Sequence, residues 1–216
     1  MKKLVIFDLD GTLLNTIADL AHSTNYALNK LGYPTHEIEK YNFMVGNGID
    51  KLFERALPEE EKSKENVLRV RKEFVPYYDI HNADDSRPYP GIPELLSYLQ
   101  DAGVQIAVAS NKYQAATQKL VDHYFPEIHF TAVFGQREGV KVKPDQIIVS
   151  DILEVAKVAK EEVLYVGDSG VDMQTAANAG VTACGVTWGF RPRTELEEFN
   201  PSYIADTAGE IKKLIL

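Results

Sequence analysis

The chain has 216 residues, a length suited to one large domain or to a core carrying an insertion. Lys plus Arg number 23 against 32 Asp plus Glu, a formal net charge of −9, which disfavours nucleic acid or an anionic membrane surface as the main partner. With 44% hydrophobic and 25% charged residues the composition is that of a globular protein and excludes a disordered tract, a collagen or a disulfide scaffold.

The first predicted element is a strand at 3–8. Its apolar run, Leu4-Val5-Ile6-Phe7, is ended by Asp8 and is too short for the core of a secretion signal, although Met1-Lys2-Lys3 imitates the basic start of one. From 14 to 84 the pattern is all-helical, with helices expected at 16–31, 48–57 and 59–79, separated by Gly32-Tyr33-Pro34 and Gly46-Asn47-Gly48. Residues 59–73 hold ten charged side chains in fifteen, the mark of a solvated helix face. Pro88, Pro90, Gly91 and Pro93 give 82–93 the composition of a hinge. Beyond it, strands at 104–110, 130–134, 163–167 and 181–186 alternate with helices at 91–102, 112–123, 145–159, 170–179 and 207–215. That alternation predicts an α/β fold, a doubly wound parallel sheet, and one crossover needs far fewer residues than separate Asp8 from Val104. We therefore divide the chain into a core, 1–13 with 85–216, and an inserted helical cap, 14–84. The lone Cys184 lies in the last apolar strand and reads as a buried small hydrophobe; a chain with one cysteine, no secretion signal and no apolar stretch near the roughly 20 residues of a membrane span is expected in the cytoplasm, as a monomer or homodimer.

Chemistry-bearing residues recur where these strands end. Asp8-Leu9-Asp10-Gly11-Thr12 follows the first strand, Ser110-Asn111 the second, Lys143-Pro144 lies beyond the third, and Gly167-Asp168-Ser169 with Asp172 follows the fourth. Ligands of doubly wound sheets bind beyond the carboxyl ends of the strands, so these groups converge on one edge. Four carboxylates there would repel one another, by about 4 kcal/mol for two unit charges about 4 Å apart at an effective dielectric of 20. A divalent cation relieves this, and oxygen ligands without His or Cys select a hard ion such as Mg²⁺.

In this order and at these spacings, with an all-helical insert after the first motif, the motifs resemble the haloacid dehalogenase superfamily of aspartyl-phosphate-forming phosphatases, in the subgroup with a helical cap. The resemblance spans the chain. Val45-Gly46-Asn47-Gly48 with Glu54-Arg55-Ala56-Leu57, and Gly185-Val186-Thr187-Trp188-Gly189, are similar to phosphoglycolate phosphatases within it. The resemblance implies that Asp8 is the nucleophile and Asp10 the acid and base. It implies that Lys143 and Ser110 hold the phosphoryl oxygens, with Thr12 steadying the loop and Asn111 and Ser169 in support. The metal would be held by Asp8, Asp168 and the backbone carbonyl of Asp10, and Asp172 would bind through water or pair with Lys143. Asn15 and Gln146 depart from the family pattern at positions without chemistry.

The five histidines, His22, His36, His81, His123 and His129, show no ligand spacing, although His22 lies on the first cap helix. A phospho-accepting receiver module would place its Asp after the third strand, where Phe134-Gly135-Gln136-Arg137 has none, and a dehalogenase has little use for Asp10, Asp168 and a metal. A sugar phosphomutase or sugar phosphatase of the same superfamily is the nearest alternative. On the cap helix after Gly48, Ile49, Leu52, Phe53, Ala56 and Leu57 form an inward apolar stripe and leave Lys51 and Arg55 on another face. Either cation could meet a substrate carboxylate on cap closure, with glycine-flanked Asn47 approaching the core. The expected substrate is accordingly a small carboxylate-bearing phosphomonoester such as 2-phosphoglycolate.

Overall fold

The computed structural model describes residues 2–215. In chain order the elements are β1 (Leu4–Phe7), β2 (Leu14–Asn15), α1 (Ile17–Lys30), α2 (Ile49–Ala56), α3 (Lys64–His81), β3 (Arg87–Pro88), α4 (Ile92–Asp101), β4 (Gln105–Tyr113), α5 (Gln114–Tyr124) and β5 (Ala132–Gln136). They continue with α6 (Ile147–Ala156), β6 (Val163–Gly167), α7 (Gly170–Ala179), β7 (Thr182–Val186), α8 (Arg193–Glu198), β8 (Tyr203–Ala205) and α9 (Ala208–Lys212). Among the described residues, no helix is long and apolar enough to cross a membrane.

Six strands form one parallel sheet in the order β5-β4-β1-β6-β7-β8. The chain winds outward from β1 first to one side and then to the other, so the crevice of the doubly wound sheet opens at the end of β1. All four residues of β1 are buried, as a central strand covered on both faces requires. Alternation sends Val5 and Phe7 into one core, with Leu95, Leu96 and Leu99 of α4, and Leu4 and Ile6 into the other, with Val149 and Ile152 of α6.

The helical stretch runs from α1 to α3 and has its own core, in which Leu28 of α1, Leu52 and Phe53 of α2, and Val70, Phe74 and Tyr78 of α3 pack together. The inward stripe of α2 is as expected: Ile49, Leu52, Phe53, Ala56 and Leu57 are all buried. At its root lies a ribbon that the sequence pattern did not signal, in which Leu14 pairs with Pro88 and Asn15 with Arg87. Asp19 of α1 locks the returning chain, accepting hydrogen bonds from the Asp85 and Ser86 amides at 2.9 and 2.8 Å and from Ser86 Oγ at 2.6 Å. His22 lies beside this root, 3.4 Å from Asp85 and outside the site cavity.

Several boundaries differ from expectation. The helix expected from residue 59 starts at Lys64, because residues 59–61 form one 3-10 turn and Ser63 caps α3, its Oγ accepting from Asn66 N at 3.2 Å. The strand expected to stop at 110 continues to Tyr113 through a register shift after Ala109, so residue 112 belongs to β4 and not to a helix. α8 and β8, six and three residues long, are absent from the sequence-based expectation. Elements that short carry too few apolar positions to show a period.

Candidate active site

β1 delivers Asp8 to the centre of the crevice, and its Oδ1 takes two contacts. The Leu9 amide donates to it at 2.7 Å and Lys143 Nζ lies 3.0 Å away. Lys143 is buried on arrival from the loop before α6, and its ammonium also donates to Ala109 O at 2.9 Å and to Asp172 Oδ1 at 2.7 Å. Burial opposes the charge on this lysine, but Asp172 and Asp8 outweigh it and hold its pKa well above the usual value. For Asp8 burial dominates: the carboxyl is pushed well above the ordinary range despite Lys143, with Asp172 and Asp168 adding to the rise.

Asp168 follows β6, Asp172 stands in the first turn of α7, and one oxygen of each lies within 4.8 Å of one of Asp8. The Phe190 amide donates to Asp168 Oδ2 at 2.7 Å and Thr12 Oγ1 to Oδ1 at 3.3 Å. Burial and the neighbouring Asp172 push the Asp168 carboxyl up to about 7, which the Phe190 bond only partly offsets. Two glycines allow the close approach. A Cβ on Gly11, whose φ is +87°, would come within 2.3 Å of Asp168 Oδ2, and one on Gly189 within 2.3 Å of Asp168 Cβ.

Asp10 leaves the same turn with its Oδ1 accepting from Thr16 Oγ1 at 2.6 Å and lying 3.0 Å from Lys112 Nζ. Above it is a cavity of about 30 Å³. Its floor is Asp8, Asp10, Ser110, Asn111 and Lys112, and its roof is Leu20, Val45, Gly46, Gly48, Ile49 and Leu52 of the helical stretch.

Residues 5–186 match the family described as haloacid dehalogenase-like hydrolase, five-sixths of the chain. The chain belongs to that family. This haloacid dehalogenase-like hydrolase is 32% identical over 218 residues to a phosphoglycolate phosphatase of Vibrio parahaemolyticus, the match covering 99% of this chain and 96% of the relative. A crystal structure from Lactobacillus delbrueckii subsp. bulgaricus, which goes under the name of a phosphoglycolate phosphatase, superposes with a TM-score of 0.93 at 33% identity, covering 100% of this chain and 99% of that one. A second, from Haemophilus somnus and so named, gives 0.92 at 29% identity, covering 100% and 98%.

In the hydrolase, Asp8, Asp10, Ser110, Lys143, Asp168 and Asp172 come together as the strand-end pattern predicts. Thr12 holds Asp168 and does not line the cavity. Asn111 braces two loops: its Oδ1 accepts from Lys143 N at 2.8 Å, and its Nδ2 donates to Lys143 O and to Gly46 O at 3.1 and 2.9 Å. Asp172 has both oxygens engaged, one by Lys143 and the other by the Ser169 amide and hydroxyl at 3.2 and 2.6 Å.

The two cap residues expected to face substrate hold each other instead. Arg55 Nη2 donates to Asn47 Oδ1 at 2.7 Å and Nη1 to Met44 O at 2.8 Å, and neither residue lines the cavity. Their reach is spent on closing the 44–47 loop, where Arg55 satisfies the Met44 carbonyl. Lys51 points outward, paired with Glu54 at 2.6 Å. Lys112, which the sequence pattern missed, is the cation that lines the cavity. It is buried, 3.0 Å from Asp10, with its ammonium 4.9 Å from the centre of the Tyr78 ring. The apolar period that starts a helix at residue 112 masks it, and the register shift after Ala109 carries it into the crevice.

Proposed function

We propose that the hydrolase is a Mg²⁺-dependent phosphomonoesterase that works through an aspartyl phosphate on a small phosphorylated metabolite, most simply 2-phosphoglycolate. The observation that carries this reading is the Asp8 carboxylate, buried beside Lys143 and Asp168 at the floor of the cavity, with Asp10 two residues away on the same turn. Both protein contacts of Asp8 fall on Oδ1. The second oxygen is then the one to attack phosphorus, forming a P–O bond while the ester P–O bond breaks and the leaving oxygen takes a proton from Asp10. A water that gives its proton back to Asp10 then splits the acyl phosphate, which releases inorganic phosphate and regenerates Asp8.

Lys143 and the Ser110 hydroxyl hold the phosphoryl oxygens, the electrostatic help that such transfers chiefly need. An all-oxygen set in which Asp168 is pushed up to about 7 by burial and Asp172 fits a hard divalent cation. Asp8, Asp168 and the Asp10 backbone carbonyl would hold that ion, with Asp172 beside them, and it supplies positive charge against the phosphoryl group. Residues 14–84 act as the cap over this core, and the apolar roof of Leu20, Val45, Ile49 and Leu52 keeps bulk water from the reaction. The names of the Vibrio and Lactobacillus relatives favour 2-phosphoglycolate over a sugar phosphate.

The test is a phosphate-release screen over small phosphomonoesters, with Mg²⁺ and then with chelator. We expect turnover of 2-phosphoglycolate that stops on chelation. A hexose phosphate turned over about tenfold more efficiently would move the assignment to the sugar-directed branch of the family. Asp10→Asn should slow alkoxide-leaving esters far more than p-nitrophenyl phosphate, whose leaving group scarcely needs a proton. Equal losses on both would remove Asp10 from the acid role.

A further inference from the structure

One loop of the core, residues 187–191 after β7, touches both the floor and the helical roof. Trp188 Nε1 donates to Thr12 O at 3.1 Å, Gly189 lies against Asp168, and the Phe190 amide donates to Asp168 Oδ2 at 2.7 Å. The Phe190 ring packs against the hydrophobic core of the helical stretch. The next residue, Arg191, crosses to the roof. Its guanidinium donates through Nη1 to Asn42 O and through Nη2 to Val45 O at 3.0 Å, and its centre lies 5.2 Å from the centroid of the Phe43 ring. Its Nε lies 3.4 Å from Glu195, whose other oxygen accepts from Gly170 N at 2.9 Å at the start of α7.

We propose that Arg191 is a positioning residue: it latches the 42–48 loop of the roof onto the floor and, through the adjoining Phe190 amide, ties that docking to the Asp168 carboxylate. Two carbonyls from one loop and a carboxylate on the opposite side surround a single guanidinium, an arrangement that suits a rigid planar fork and that a lysine ammonium, a single point of charge, fits less well. The roof loop is held from both sides, since Arg55 takes Met44 O from within the helical stretch and Asn111 takes Gly46 O from the core. Burial and the nearby Arg191 both lower the Arg55 pKa, and each guanidinium is held by backbone carbonyls of this one loop. Val45, Gly46 and Gly48 line the cavity, and losing the latch would loosen that part of its wall.

The kinetic part of the test rests on the phosphatase reading; amide exchange on the ligand-free protein does not. The Met44 and Val45 amides both donate to Tyr41 O, at 3.0 and 3.1 Å, and so report the order of the loop. In Arg191→Ala their exchange should accelerate about tenfold while amides of β1 and β6 keep wild-type protection, and Arg191→Lys should show a smaller rise of about threefold. For 2-phosphoglycolate the Ala variant should raise KM about tenfold with kcat changed less than about threefold, and the Lys variant should recover part of that KM. Met44 and Val45 exchange within about twofold of wild type, with β1 and β6 protected, would overturn the latch. So would an unchanged KM. Should Arg191→Ala fail to fold, Arg191→Lys decides the matter by the same two measurements. If wild type turns over none of the esters, the phosphatase reading fails and the exchange result alone judges the latch.

Discussion

The floor and the roof of the cavity are built on opposite terms. The floor rests on a crowd of charge: around Asp8 stand Asp168, Asp172 and Lys143, which do not line the cavity, all buried and held by specific partners, and two of the carboxyls are pushed upward by that burial. The roof presents Leu20, Val45, Ile49 and Leu52, all buried, together with two glycines. Its nearby cations, Arg55 and Arg191, are occupied with backbone carbonyls and do not line the cavity. The difference teaches that the floor concentrates buried charge, at a cost in stability that the proposed reaction would use, whereas the roof is built by ordinary apolar packing.

The largest effect expected on the floor is for Asp8→Asn, which keeps the shape but cannot form an acyl phosphate. Turnover should fall below about a hundredth of wild type with the circular dichroism spectrum unchanged, and residual activity above that level would sink the covalent mechanism. Lys143→Met comes next, because it leaves Asp8 and Asp172 buried without their shared cation. Breaking such a buried set costs about 3–5 kcal/mol, to be read from denaturant unfolding at pH 7. A loss under about 1 kcal/mol would mean that the floor charges are solvated.

On the roof, Leu52→Ala should cost about 2–4 kcal/mol through the cavity that it leaves, without the abolition of turnover expected on the floor. A null effect on stability, or a loss of turnover as complete as that of Asp8→Asn, would erase the contrast between the two surfaces.

The smallest effect has the opposite sign. Because Asp168 is pushed from 3.8 to about 7, the folded chain keeps a proton there that the unfolded chain has released. The stability from that group is complete below about pH 4 and is lost as pH rises toward 7. In chelator, Asp168→Asn should therefore melt a few degrees above wild type at pH 7, and the gap should close by about pH 4. A gap that is the same at both pH values would assign the change to packing.

Much of this was legible in one dimension. The run Leu4–Phe7 ended by Asp8 marks a central strand delivering a carboxylate, and its spacing to Ser110, Lys143 and Asp168 marks one sheet edge, because strand ends in a doubly wound sheet share a direction. The apolar stripe of α2 could be read for the same reason: periodicity reports which face is buried. Periodicity does not report what a polar side chain beside that stripe touches. Arg55 and Lys51, four residues apart on one helix, therefore diverge in the fold, one to a loop carbonyl and the other to Glu54.

The amino-acid order alone thus determined five of the six strands, the helices α1 to α3 between the first two of them and the acidic residues at the strand ends, since each rests on local pattern or on strand ends that any such sheet brings together. Tertiary structure alone decided the partners made across the crevice. Lys112 reaches Asp10 because a register shift after Ala109 prolongs β4, and Arg191 reaches Asn42 and Val45 across some 150 residues of chain. Contacts at that separation depend on the packing of the helical stretch onto the sheet as bodies, and no residue's neighbours in sequence carry that information.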